Sequence, residues 1–340
     1  TQRMLATQET GTGAMGQISL LLKAVIATSL TMQALLAAVF LPRFLSMGID
    51  PVRAVWDAVF MAISVFNNAG FVILPEGLSP HVTDWWMLIP IILGTTVGAI
   101  GFPVIMDVAK NLRTPRRWRL HTKLTLSTYL ILAFVGALAL ALTEWNNPAT
   151  LGAIDTPSKI LNAMLAGVNS RSSGLSALDV GAMQTQTHFV QDILMMIGGG
   201  SASTAGGVKV TTFAVLVLAV IAEARGDRDI ETFGRRIPTS AVRLAVAVSL
   251  LGLALVAVSV VLLLSMTHYS LDIILFETAS AFATVGLSTG ITPILPVGAK
   301  YVLIFLMFAG RTGSMTVAAA LALRERSRVI RMPEERPIIG

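Results

Sequence analysis

The sequence predicts an all-α polytopic membrane protein, and three features predict it. Of its 340 residues, 54% are hydrophobic and only 13% are charged. That is about half the charge of an ordinary soluble domain, too little to cover a globule of this size in water. Six apolar stretches are long enough to cross a hydrocarbon core of about 30 Å: 17–40, 84–109, 124–143, 189–222, 240–266 and 298–323. Three shorter apolar segments, 53–66, 157–170 and 271–282, lie between spans and each ends at a glycine-containing turn. About a dozen residues cannot span a bilayer, but they suit a re-entrant half-helix.

In chain order, residues 1–16 form a polar segment that opens Thr1-Gln2-Arg3-Met4, with neither an initiator methionine nor a signal-peptide pattern. A first span, half-helix, turn, span unit covers 17–109 and ends in the basic connection 110–123. A second unit covers 124–224 and is followed by the connection 225–239. The third covers 240–323, leaving the tail 324–340.

Six crossings put both termini on one side. Lys110, Arg113, Arg116, Arg117, Arg119 and Lys123 follow span two, and Arg225, Arg228, Arg235, Arg236 and Arg243 follow span four. The tail adds Arg324, Arg326, Arg328, Arg331 and Arg336, whereas the alternate connections hold little beyond Arg43, Arg53 and Lys159. Lys and Arg are retained in short cytoplasmic loops, so both termini are expected in the cytoplasm of a cell bounded by this plasma (inner) membrane. The net charge of +6 follows from the same asymmetry. Nucleic acid is excluded as a partner because the basic residues sit at helix ends and not on one soluble face. Cysteine is absent, and the four histidines are too scattered for a zinc site or a His-based triad. Isolated intramembrane charges do not make an enzyme.

The glycines of the turns, Gly70, Gly174 and Gly286, stand 104 and 112 residues apart, each followed by a large apolar residue: Phe71, Leu175, Leu287. The turns read Asn67-Asn68-Ala69-Gly70, Arg171-Ser172-Ser173-Gly174 and Ala283-Thr284-Val285-Gly286. Glycine permits backbone dihedrals that aim successive carbonyls one way, and a ring of carbonyls can replace the hydration shell of K+. Thr284-Val285-Gly286 also matches the first three residues of the potassium-channel filter. The repeated units are therefore expected around a pseudo-symmetric ion pore. Its filter would be made by Asn68, Ala69, Gly70, Ser172, Ser173, Gly174, Thr284, Val285 and Gly286, holding K+ by backbone carbonyls. Glycines serving helix packing alone would not need a half-helix before each one. The half-helices add a partial negative charge at their C-terminal ends, which favours cations.

The stretch 189–222 would be about 51 Å long as one helix, well beyond the membrane. Its middle reads Gly198-Gly199-Gly200-Ser201-Ala202-Ser203-Thr204-Ala205-Gly206-Gly207, which no helix would choose. Non-helical backbone at membrane depth survives only inside protein or beside a watery cavity, so this loop is expected across the ion path as a gate.

Two charges accompany it. Arg311 lies mid-way along the last span, where it either opposes cation movement beside the path or satisfies helix-end carbonyls, including those of the broken span. Lys209 either anchors the loop or lines the pore. Arg171 is expected to tie its turn to Asp179 or Glu144, and Glu277 to buttress the filter or draw cations to its mouth.

These motifs, with Gly198 to Lys209, Thr284 to Gly290 and Gly310-Arg311-Thr312-Gly313, resemble the Trk/Ktr/HKT superfamily of potassium transporters, most closely its bacterial KtrB-like members. The resemblance covers essentially the whole chain. It implies four span, pore-helix, span repeats around one pore. It further implies a homodimer in membrane lipid, and a cytoplasmic ring of RCK-type nucleotide-binding regulatory subunits of the KtrA/TrkA kind. It makes Gly70, Gly174 and Gly286 filter glycines, Gly198 to Gly207 the intramembrane gating loop, and Arg311 the last-span arginine facing that loop. By that correspondence the units here are the second, third and fourth, and the first is missing, so a piece of a longer protein is expected.

The function expected is transmembrane uptake of potassium, as a channel or a cation-coupled symporter, with sodium as a further candidate cargo and no organic cofactor on this chain. A broken-helix secondary solute transporter and a non-conducting membrane scaffold are the alternatives. The first needs units of opposite orientation, whereas the basic loops give all three the same one.

Overall fold

The computed structural model describes residues 18–313, and its regular secondary structure is mostly helical. Helix α1 (Ile18–Ser46) leads to the half-helix α2 (Pro51–Phe66), then to α3 (Trp85–Ile100) and α4 (Phe102–Lys110). The second unit holds α5 (Leu120–Glu144), the half-helix α6 (Thr156–Asn169), α7 (Thr185–Met196) and α8 (Val210–Arg225). The third holds α9 (Thr239–Met266), the half-helix α10 (Leu271–Ala283) and α11 (Val297–Phe308), which continues into a π-helical turn, Ala309–Gly313.

Local chemistry starts the half-helices abruptly. Asp50 caps α2 by accepting from the amides of Val52 and Arg53, and Pro51 needs no donor partner in the first turn. Asp155 caps α6 in the same way through Ser158, again with a proline, Pro157, in the opening turn. Ser270 precedes α10, with Asp272 in its first turn. Each half-helix then stops at a tight turn of positive φ.

Among the described residues, three helices, α1, α5 and α9, are long and apolar enough to cross a membrane. Against the expected spans, α1 runs six residues past 40, and two spans are broken. The predicted continuous span 84–109 bends by 96° between α3 and α4. Gly101, at φ 94°, makes the corner, and Pro103 stands at the start of the new helix. The span 189–222 divides into α7 and α8 around residues 197–209, as its glycines require. The expected last span, 298–323, is helical to Phe308, and its part beyond Gly313 lies outside the described residues, as do 1–16 and the tail 324–340. The connection 225–239 contains a small antiparallel hairpin, β1 (Ile230–Thr232) with β2 (Arg235–Ile237), that hydropathy does not announce.

Buried side chains of one cluster, including Phe40, Met61, Ile91, Leu161 and Val168, join the first unit to half-helix α6. A second cluster, with Leu140, Met195, Phe276, Val285 and Leu287, joins the second unit to α10. Arg43 fastens the end of α1 to the start of α3 through Asp84 (Nε to Oδ2, 2.7 Å). Large apolar side chains such as Leu250, Leu253, Ile304 and Phe305 point outward, as lipid-facing residues do.

Candidate functional site

The three turns share one backbone device. Each half-helix carbonyl five residues back accepts the turn amide: Ala69 N to Ser64 O (2.9 Å), Gly174 N to Asn169 O (3.2 Å) and Val285 N to Ser280 O (2.9 Å). The residue just before each donor is left-handed, with Asn68 at φ 52°, Ser173 at 79° and Thr284 at 52°. The acceptor residues also hold the outgoing strand with their side chains. Ser64 Oγ donates to Phe71 O (2.7 Å), Asn169 Nδ2 donates to Leu175 O (2.8 Å), and Ser280 Oγ accepts from Gly286 N (3.1 Å).

This conformation sets a register that differs by one residue from the glycine alignment. Asn68, Ser173 and Thr284 correspond in backbone shape, so Gly174 stands where Ala69 and Val285 stand. Gly70 and Gly286 follow the left-handed residue by two positions, whereas Gly174 follows Ser173 directly.

The turns, far apart in sequence, converge. A side chain at Gly70 would collide with the carbonyl oxygen of Ser173 and lie 3.6 Å from that of Val285. One at Gly174 would collide with Val285 O, and one at Gly286 would lie 3.9 Å from Ser173 O. Three glycines thus face a small cluster of carbonyls from the neighbouring turns, and no side chain intervenes. Residues Ser172, Ser173 and Thr284 are brought to this cluster with buried hydroxyls, and Asn68 with a buried amide.

The glycine-rich loop lies against the same place. Gly200 N donates to Ala99 O (2.7 Å), Thr204 N to Gly98 O (3.2 Å), and Phe102 N to Ala202 O (3.2 Å), so the loop fills the break between α3 and α4. A methyl on Gly98 would strike Phe66 O, and one on Gly101 would come within 2.5 Å of Ser201 O. On its other side, a methyl on Gly206 would strike the Thr284 hydroxyl and lie 2.8 Å from Ala283 O. Only glycines let the loop sit this close to two half-helix ends. Gly198 N to Val208 O (2.8 Å) and Val210 N to Gly199 O (3.0 Å) close its base.

Arg311 reaches the loop from the π-helical turn, donating from Nη1 to Thr204 O at 2.6 Å. Of its two expected roles, satisfying a carbonyl of the broken span is the one this geometry displays. Lys209 Nζ donates to Ala205 O (2.7 Å), which anchors the loop.

Arg171 departs from expectation. It is fully buried and stacks on Tyr129, with the guanidinium carbon 3.7 Å from the ring centroid. Its expected partners are engaged elsewhere. Glu144 accepts from Asn147 Nδ2 (2.6 Å), Thr150 Oγ1 (2.6 Å), Gln184 N (2.8 Å) and Thr187 Oγ1, which pins the end of α5 to the start of α7. Asp179 accepts from Gly181 N (2.9 Å). Glu277 buttresses the strand after Gly286, accepting from Ser288 Oγ (2.8 Å), Thr289 N (2.8 Å), Thr289 Oγ1 (3.0 Å) and Thr292 Oγ1 (2.6 Å). Sequence reading misses Thr204 as the centre of the loop's contacts, because its partners Asn68 and Phe66 lie more than 130 residues away.

A chain with this architecture matches the model of the family described as TrkH, cation transport protein, over residues 2–330. It belongs to the TrkH family. Relatives include the Ktr system potassium uptake protein B of Bacillus subtilis, 36% identical over 339 residues, covering all of this chain and 76% of the relative. The protein of the same name from Vibrio alginolyticus is 34% identical, over 83% of this chain and 62% of its own length. The potassium/sodium uptake protein NtpJ of Enterococcus hirae is 33% identical, over 90% and 67%. The chain thus spans from about three-fifths to three-quarters of the length of these relatives. The crystal structure of the potassium transporter TrkH from Vibrio parahaemolyticus superposes with a TM-score of 0.71 at 18% identity, covering 92% of this chain and 65% of that one. Its likeness carries the fold. As a TrkH-family member the chain is a membrane transport protein and not an enzyme.

Proposed function

We propose that this TrkH-family chain takes part in potassium uptake, with the three converging turns as its carbonyl-lined filter and the loop Gly198 to Gly207 as its gate. One observation supports this reading above others: Gly70, Gly174 and Gly286 face the carbonyls of Ser173 and Val285 with no side chain between them. Carbonyl dipoles gathered without intervening side chains suit a monovalent cation stripped of water. The names of the relatives agree with K+ as cargo, and that of NtpJ brings Na+ into consideration.

In this reading 17–109, 124–224 and 240–323 are the family's second, third and fourth repeats. The basic segments 110–123 and 225–239 face the cytoplasm, with both termini, at the plasma membrane. The loop closes the path beneath the filter and Arg311 holds it there. A homodimer, and an RCK-type nucleotide-binding regulatory subunit, belong to the same proposal on the strength of the resemblance. Co-purification and light scattering in detergent test them.

The function itself is tested by expressing the protein in a bacterium deficient in potassium uptake. Growth at low potassium is expected, and failure to rescue by a protein shown to reach the membrane overturns the reading.

A further inference from the structure

The loop does more than occlude. Thr204 is where it meets the first turn, and every polar atom of that residue is used there. Its hydroxyl accepts from Asn68 Nδ2 at 2.7 Å and lies 3.0 Å from Gly98 O and 3.2 Å from Phe66 O, between which its single proton chooses. Its amide donates to Gly98 O, and its carbonyl accepts from Arg311.

Asn68 is no ordinary partner. It is buried and left-handed, stands two residues before Gly70, and sets the curvature of the turn that carries this glycine. Its Nδ2 otherwise reaches Thr95 O at 3.3 Å. Moving the loop away removes the shorter of its two bonds inside a buried site, where an unmade hydrogen bond is costly. Asparagine tolerates the left-handed backbone better than most L-residues, yet the bonds its amide makes still help to hold it there. The loop is therefore part of what enforces the first turn.

We propose that the Asn68–Thr204 hydrogen bond couples the two devices, so that release of the loop both opens the path and loosens discrimination of potassium from sodium at the Gly70 turn. Thr204 and Asn68 act here as positioning residues: neither needs to touch the ion through its side chain. The inference rests on the filter-and-gate reading above, and its test separates the two.

The experiment measures rubidium and sodium tracer uptake by vesicles reconstituted with the purified full-length protein, each variant checked for a monodisperse, cooperatively melting preparation. Thr204→Val, close in shape but without the hydroxyl, is expected to raise basal uptake and to lower the rubidium-to-sodium ratio by about fivefold, the factor set by one hydrogen bond of ordinary net strength. Thr204→Ser keeps the hydroxyl and is expected to restore the ratio. Asn68→Gly tolerates the left-handed backbone and removes the amide, so it is expected to lower the ratio as Thr204→Val does. The double variant should fall no further than either alone. Arg311→Gln frees the loop at the carbonyl side and is expected to raise basal uptake while Asn68 and Thr204 stay paired, with the ratio lowered less than in Thr204→Val.

Uptake by the wild type with an unchanged ratio in Thr204→Val overturns the coupling alone. So does a ratio as low in Thr204→Ser as in Thr204→Val, or full additivity in the double variant. Wild-type vesicles that admit neither ion overturn the transport reading, and the coupling with it.

Discussion

The carbonyl oxygen of Ser173 occupies the space that a side chain on Gly70 would need. The two residues belong to turns that lie far apart in the sequence, so the contact is a statement about assembly as much as about one turn. Gly70→Ala adds a single methyl group, but it adds it against backbone and at φ 76°, where an L-residue already costs about 1–2 kcal/mol. Neither neighbour can yield cheaply. Rubidium uptake by Gly70→Ala is expected to fall at least about tenfold, the factor that corresponds to 1.4 kcal/mol. Tracer uptake in reconstituted vesicles measures it, and near-normal uptake would remove Gly70 from the pathway.

Gly286 predicts a different outcome from the same chemistry. A side chain there has room, its nearest neighbour being Ser173 O at 3.9 Å, but the backbone sits at φ 98°. Gly286→Ser therefore strains the turn without blocking it. Conduction is expected to persist while preference for potassium over sodium weakens, which competition of sodium against rubidium uptake reads directly. A variant that keeps the wild-type preference would exclude Gly286 from the filter.

How much of this is legible in the sequence depends on the range of the interactions. The half-helices and most spans follow from hydropathy and from caps such as Asp50-Pro51 and Asp155-Thr156-Pro157, all local signals. The 96° break between α3 and α4 escapes hydropathy because Ile100-Gly101-Phe102 lies inside an unbroken apolar run, and only Gly101 with Pro103 hints at it. The one-residue shift of the second turn is hidden because glycines, the most visible markers, are not the residues that share a backbone shape. Arg171 shows the limit most clearly. Charge arithmetic pairs it with a carboxylate, yet Glu144 has four other donors and the guanidinium lies on Tyr129. The glycines place Thr204 in the loop, but nothing local marks it as the centre of the loop's contacts, since its partners Asn68, Phe66 and Gly98 lie more than a hundred residues away.

The Arg171–Tyr129 stack yields a stability prediction. A desolvated guanidinium over an aromatic face gains about 2 kcal/mol. Tyr129→Phe preserves that face and is expected to melt close to the wild type. Tyr129→Leu removes it from beneath a buried charge and is expected to lose about 2 kcal/mol or more, seen as a lower melting temperature of the detergent-solubilised protein. Equal melting of the two variants would show that the aromatic face adds nothing to the burial of Arg171.

Glu277 supports the strand after Gly286 with four accepted hydrogen bonds, three of them at Oε1. Glu277→Gln keeps one oxygen for Ser288 and Thr289, and the Thr292 hydroxyl can turn to accept from the new amide, so its effect is expected to be small. Glu277→Ala strands the Thr289 amide and hydroxyl in a partly buried site, while the Ser288 and Thr292 hydroxyls can still bond each other (3.1 Å), and it is expected to cost about 2–4 kcal/mol, each unmade bond being worth about 1–3 kcal/mol with incomplete additivity. Because the stranded groups lie in the strand that leaves the third turn, the same variant should also admit more sodium relative to rubidium. A Glu277→Ala protein that melts lower yet keeps its ion preference would confine this carboxylate to structural support.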